Sequence, residues 1–155
     1  MDRRDGLFVT VRPTLDTSAY ASGDVLFAAT KIQNAAQDTK GLAYLRTLVA
    51  CDLSNQKQAI DLLFFNQDPG AMGAVNAALD ISTAQLLTLI GVISIGTSDW
   101  TTAKSGANAY AQKLQEMLVP CAQTLKDIWV AGVCRSGTPT YGASSLVLNV
   151  MLERL

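Results

Sequence analysis

The stretch LDTSAYASGDVL, residues 15–26, sets two carboxylates, Asp16 and Asp24, among the hydroxyls of Thr17, Ser18 and Ser22. Paired carboxylates are the raw material of acid–base hydrolysis, and LDTSA partly resembles the Asp-Thr/Ser-Gly triplet of aspartic proteases. Such an enzyme needs two Asp groups sharing one proton, each carried on a tight glycine turn. Here Ser18 stands in the glycine's place, and the chain has no second triplet. The competing reading is an Asx or ST turn, in which Asp16, Thr17 and Ser18 bond nearby backbone N–H groups. Asp16 and Asp24 could also share a Ca²⁺ with carbonyl oxygens, but they lack EF-hand or nonapeptide spacing, and a solvated turn is the competing reading. Asp52 with Asp61, or Asp68 with Asp80, are candidate glycosidase pairs whose separation the sequence leaves open, and that separation governs the chemistry. Asp68 has a simpler task, holding the turn at Asp68-Pro69-Gly70.

The chain contains no histidine, so Ser-His-Asp and Cys-His catalysis and His-ligated metals are excluded. Cys51, Cys121 and Cys134 are an odd number without CxxC spacing, and read as reduced thiols that pack like small apolar groups. RSGTPTYGASS has the glycines of a phosphate-binding loop but not its lysine. Trp129 lies in an apolar strand and belongs in a core. Trp100 sits in a polar stretch and, with Tyr110, marks a possible partner-contact loop. The expectation is therefore no catalytic residue, no metal and no cofactor.

The elements that would position these residues alternate with a period of two. LFVTVRPT places Leu7, Val9 and Val11 on one side of a strand, with Pro13 marking an edge or an end. GDVLFAATKI, QAIDLLFFN, GVISIG, LQEMLVPC, TLKDIWVAGVC and SLVLNVML read as further strands. GLAYLRTLVACDL is apolar almost throughout and predicts a central strand covered on both faces. TSDWTTAKSGANAYAQ reads as a surface loop. One helix is signposted: Ser82 and Gln85 form a capping box, Ile81 and Leu86 occupy staple positions, and Gly91 suits the stop, giving a helix at about residues 83–90. Seven or eight short strands with one helix predict an all-β sandwich with jelly-roll-like or Greek-key connections. Residues 7–155 form its single domain, after a flexible N-terminal arm at residues 1–6.

Composition bounds the partners. Charged residues make up 16%, against roughly 25% in an average soluble domain. A small domain has much surface to cover, so scarce charge implies that part of it meets protein. Net charge is −1, and the only basic cluster, Arg3-Arg4, is flanked by Asp2 and Asp5, which leaves no field to attract nucleic acid. No run of 18 apolar residues or secretory leader is present, so no membrane partner is expected.

Several motifs recur in a fixed order: Tyr20 with Gly23-Asp24, Asp52 with Gln56, Phe64-Phe65 before Asp68-Pro69, and Thr138-Pro139-Thr140-Tyr141. In that order, from about Thr10 to Leu152, the chain resembles a family of small tailed-bacteriophage virion proteins, the capsid cement or decoration proteins. The resemblance implies a jelly-roll-like homotrimer on the capsid exterior, made in the host cytoplasm, bridging subunits of the major capsid protein against internal DNA pressure. Three copies engaging the shell together would turn modest contacts into firm attachment. The arm carrying Asp2, Arg3, Arg4 and Asp5 is then the expected coat contact. Two other readings fit the same sandwich: a tail or head–neck structural protein, and a carbohydrate-binding module stacking sugar on Trp100 and Tyr110.

Overall fold

The computed structural model describes residues 5–122 and 124–155. Its strands are β1 (Asp5–Val11), β2 (Val25–Ile32), β3 (Leu42–Asp52), β4 (Ile60–Phe65), β5 (Leu89–Ile95), β6 (Thr101–Lys104), β7 (Asn108–Pro120), β8 (Ile128–Cys134) and β9 (Leu146–Arg154), with α1 (Thr83–Leu86) between β4 and β5. They form a five-stranded sheet, β1-β9-β3-β7-β6, and a four-stranded sheet, β2-β8-β4-β5. Pairing is antiparallel and nested: β1 with β9, β2 with β8, β3 with β7, and β4 with β5. The chain is thus one long hairpin rolled up so that successive pairs fall in opposite sheets. That is a jelly roll, and it settles the choice between the two expected sandwich topologies.

Alternation builds the core between the sheets. Leu45, Leu48, Ala50, Leu148, Val150 and Leu152 face Leu26, Phe27, Leu62, Phe64, Ile93 and Val130, all buried. A second apolar cluster lies on the outer face of the four-stranded sheet. There Leu63, Phe65, Trp129, Ala131 and Val133 are roofed by Met72, Leu79 and Ile81 from the long β4–β5 connection. All seven residues of β8 are buried as a result, and Trp129 is the core residue its strand suggests.

The structure corrects several boundaries. Asp5 and Gly6, assigned to an arm, are strand residues in register with Arg154 and Glu153. The capping box is present, with the Gln85 N–H donating to Ser82 Oγ (3.2 Å) and the Ser82 N–H to Gln85 Oε1 (2.9 Å). The helix nevertheless ends at Leu86, because the β-rich LIGVISI run pairs with β4. Gly91 is no helix stop: it sits within β5, where Met117 Sδ occupies the space a Cβ would need. Leu86, at the expected staple position, is exposed. Residues 97–112 are not a loop but a short 3₁₀ turn, β6 and the start of β7. β3 is central, yet it is fully covered on one face only; its outward residues Tyr44, Val49 and Cys51 are half-buried.

Candidate functional site

Two regions gather the residues that could carry function: one end of the sandwich, and the outer face of the five-stranded sheet. At the end, the β1–β2, β3–β4 and β8–β9 connections bond to one another. The Leu15 N–H donates to Ala143 O (3.0 Å), the Tyr20 N–H to Pro139 O (3.0 Å) and the Leu53 N–H to Ser145 O (2.7 Å). Side chains reinforce these, with Ser54 Oγ on Ser145 Oγ (2.7 Å), the Thr140 N–H on Gln56 Oε1 (3.0 Å) and Ser136 Oγ on Gln58 Oε1 (2.9 Å).

The carboxylates that suggested chemistry are engaged with backbone and neighbouring side chains. Asp16 Oδ1 accepts from the Ser18 N–H (2.6 Å) and from Asn76 Nδ2 (3.1 Å), and these bonds hold its carboxyl below the usual carboxylate range. Asp24 Oδ2 accepts from the Ala21 N–H (2.8 Å). Between them the buried Tyr20 hydroxyl accepts from the Asp16 N–H (2.7 Å) and donates to Leu26 O (2.9 Å), while its ring meets Tyr141 edge-on at 6.1 Å. LDTSAYASGDVL is therefore an Asx corner clamped by a tyrosine. Asp52 is fully buried; its two oxygens take the Ser54 N–H (2.9 Å) and the Lys57 N–H (2.8 Å). Asp61 pairs with Arg135 Nε (2.7 Å) and Ser94 Oγ (2.6 Å), and Asp68 accepts from the Gly70 N–H (2.9 Å) as its turn suggests.

All three thiols are free, and burial pushes each of them up, Cys121 to about 11. At neutral pH they are protonated and poor nucleophiles. Among the described residues no cluster of three or more His, Cys, Asp or Glu is placed to hold a metal ion, and no pocket opens.

Of the residues expected to meet a partner, Asp2, Arg3 and Arg4 lie outside the described residues. Asp5 begins β1 and ion-pairs with Arg154. Trp100 and Tyr110 do not share a surface. The Trp100 ring is only 8% exposed, and its Nε1 donates to Gln58 O (2.9 Å), tying the β5–β6 connection to the β3–β4 loop. A Trp100–Tyr110 sugar platform is thereby ruled out. Tyr110 is exposed and belongs to the second region.

That region is a row of side chains running across four strands. Phe8 on β1 is in register with Met151 on β9, Met151 with Thr47 on β3, and Thr47 with Leu114 on β7. Phe8 is 59% exposed, Met151 42% and Leu114 77%; Leu118 and Tyr110, further along β7, are 42% and 43% exposed. At Arg46 the β3–β9 register slips by one residue, a bulge that lets Arg46 and Thr47 both stay out of the core while Leu45 and Leu48 fill it. Arg46 then lies over the Tyr44 ring at 4.6 Å and bonds Glu153 (2.7 Å) and Glu116 (3.0 Å). No sequence expectation singled out this face. The signal was present in β7, where Tyr110, Leu114 and Leu118 recur at even spacing opposite the core positions Ala109, Ala111 and Val119.

No protein-family model matches the chain, and no curated protein matches it. Among solved structures it is similar to a chain of desmodium yellow mottle tymovirus, at a TM-score of 0.32 and 12% identity over 99% of this chain and 82% of that one. It is also similar to a chain of infectious bursal disease virus, Gx strain, at a TM-score of 0.27 and 18% identity, over 99% of this chain and 37% of that one.

Proposed function

We propose that the chain is a structural virion protein that attaches to the outside of a phage capsid and strengthens it by bridging coat subunits, acting as a trimer. The observation that carries this reading is the open apolar face of the five-stranded sheet. Phe8, Met151 and Leu114 stand exposed in one row across that face, and the largest apolar patch on a soluble domain is often functional. The jelly roll and the ordered motifs that resemble the cement family support it. So do carboxylates engaged in turns and ion pairs rather than aimed at a shared substrate.

Attachment would be mechanical. A rigid sandwich fixed at several points resists the separation of the subunits it spans, and three linked copies release far more slowly than one. The test is cosedimentation of the purified chain with expanded phage heads that lack it, followed by heating or osmotic shock. Decorated heads should retain their DNA under conditions that open bare ones. Heads that bind none of the chain, or burst equally with and without it, overturn the proposal. A tail or head–neck location would instead place the chain in rings at the portal end in micrographs.

A further inference from the structure

We propose that the outer face of the five-stranded sheet, the row Phe8–Met151–Thr47–Leu114 with Leu118 and Tyr110, is where copies of this chain meet one another. The inference rests on the virion reading above and supplies what that reading lacks, the surface through which the oligomer forms.

Three observations select a second copy as the occupant. The first is area. Taking 150–250 Å² for an aromatic side chain, the five exposed apolar residues present roughly 500 Å². With half-buried Tyr44, Val49 and Cys51 beside them, the face approaches the ~800 Å² per partner of a standard interface. The second is charge. Arg46 is already bonded to Glu153 and Glu116, and Arg154 to Asp5, so two guanidiniums meet three carboxylates within the face and little charge is left for a partner to counter. A basic or acidic partner would find little to neutralise, whereas a copy of the same face brings apolar surface and internally paired charge. The third is the register. Phe8 marks one flank and Leu114 the other, so the flank of one copy can seat against the opposite flank of the next.

The width of the sheet fits this. Along the row, where β6 reaches no further than Tyr110, four strands spaced ~4.8 Å apart span about 14 Å, and three such faces turned toward a common axis leave each sheet about 4 Å from it, close to half the ~10 Å between stacked sheets. Three faces thus fill their own centre with side chains, whereas four would leave a hollow. On the other sheet Met72, Leu79 and Ile81 roof most of the outer face, and its exposed apolar residues Val92, Leu86 and Leu87 are confined to β5 and the turn before it.

The experiment is light-scattering mass of the full chain beside Leu114→Glu and Met151→Glu, with circular dichroism and thermal melting to confirm folding. Both side chains point away from the core, so folding should survive. The native chain is expected as an oligomer and both variants as folded single subunits. Cys51, on the same face, supplies a second readout: maleimide should label it faster in the variants than in the native chain. A native monomer, variants that keep the native mass, or equal labelling of Cys51 in both would overturn the inference. Capsid attachment is scored separately. A chain that assembles but never attaches sinks the virion reading alone, and one that attaches as single subunits sinks the face and the trimer while leaving attachment itself standing.

Discussion

Replacing Asp52 by alanine tests whether the buried carboxylate is structural. Its oxygens satisfy the Ser54 and Lys57 amides at 2.9 and 2.8 Å, on a loop where Asn55 and Lys57 both hold φ of 52°. Lys57 has no intrinsic reason to adopt that left-handed conformation, which costs of order 1 kcal/mol. Its bond to Asp52 offsets the cost. Removing the carboxylate orphans two amides at about 1–3 kcal/mol each. Both residues are half-buried, so water can reach in and the lower end applies, and the loop regains some strain by relaxing. The expected loss is about 2–3 kcal/mol, a fall in Tm of roughly 5–10 °C for a chain of this size. Asp52→Asn keeps one acceptor and should lose about half as much. The assay is the urea midpoint at one fixed subunit concentration, since assembly makes the midpoint concentration-dependent, with an unchanged slope confirming the comparison. An alanine variant within about 0.5 kcal/mol of the native chain would refute the reasoning, because a typical bond deletion exceeds that.

Two glycines separate rigid from yielding contacts. A Cβ at Gly132 would sit 2.3 Å from Cε1 of buried Phe27, and one at Gly91 would sit 2.0 Å from Met117 Sδ. The aromatic ring is locked in the core while the thioether can swing aside, so Gly132→Ala should lose about 2–3 kcal/mol and Gly91→Ala about 1 kcal/mol or less in the same urea assay; equal losses would contradict this. Burial raises the Cys121 thiol from 9.0 to about 11, so the folded chain keeps a proton that the unfolded chain gives up. Its contribution is complete below pH 9 and is lost as pH rises through about 11, on the order of 2 kcal/mol. Cys121→Ala should flatten the fall in denaturation midpoint over that window, and an unaltered slope would remove Cys121 from the account.

Strands were legible because the core positions alternate, and the turns because their chemistry is local: Ser82 with Gln85, Asp68 with Gly70, and Asp16 with Ser18 each bond over two or three residues. What lay beyond the sequence needed contacts between distant segments. Trp100 sits in a polar stretch, yet it is buried because Gln58, 42 positions earlier, meets its indole N–H. The helix was read too long because Leu87, Leu89 and Ile90 fit an apolar pattern in either conformation, and only pairing with β4 claims Leu89 and Ile90 for a strand. The β6–β7 hairpin did leave a trace that a loop reading passed over. Lys104-Ser105-Gly106-Ala107 is a turn with Gly106 at φ 69°, flanked by alternating residues. Residues 1–4, which carry most of the expected coat contact, lie outside the described residues.

The two outer sheet faces differ in a way that bears on assembly. β8 and β4 carry IWVAGVC and IDLLFF, apolar on both sides, and such strands need cover as soon as they form; the chain supplies it from the β4–β5 connection. The outward positions of β9, β3 and β7 mix Met151, Val49 and Leu114 with Asn149, Thr47 and Gln112. Polar members spaced along the strands keep hydrogen bonds to water while a subunit is alone. The apolar row crossing the strands gains only when another surface arrives. A face made wholly of β8-like strands would aggregate before reaching its partner, and a wholly polar one would give a partner nothing to bury. The intermediate composition suits a subunit that folds first and assembles afterwards. On this argument Leu114→Glu should leave the melting of a dilute single subunit nearly unchanged while abolishing assembly, whereas Leu63→Glu, under the roof of the other sheet, should prevent folding.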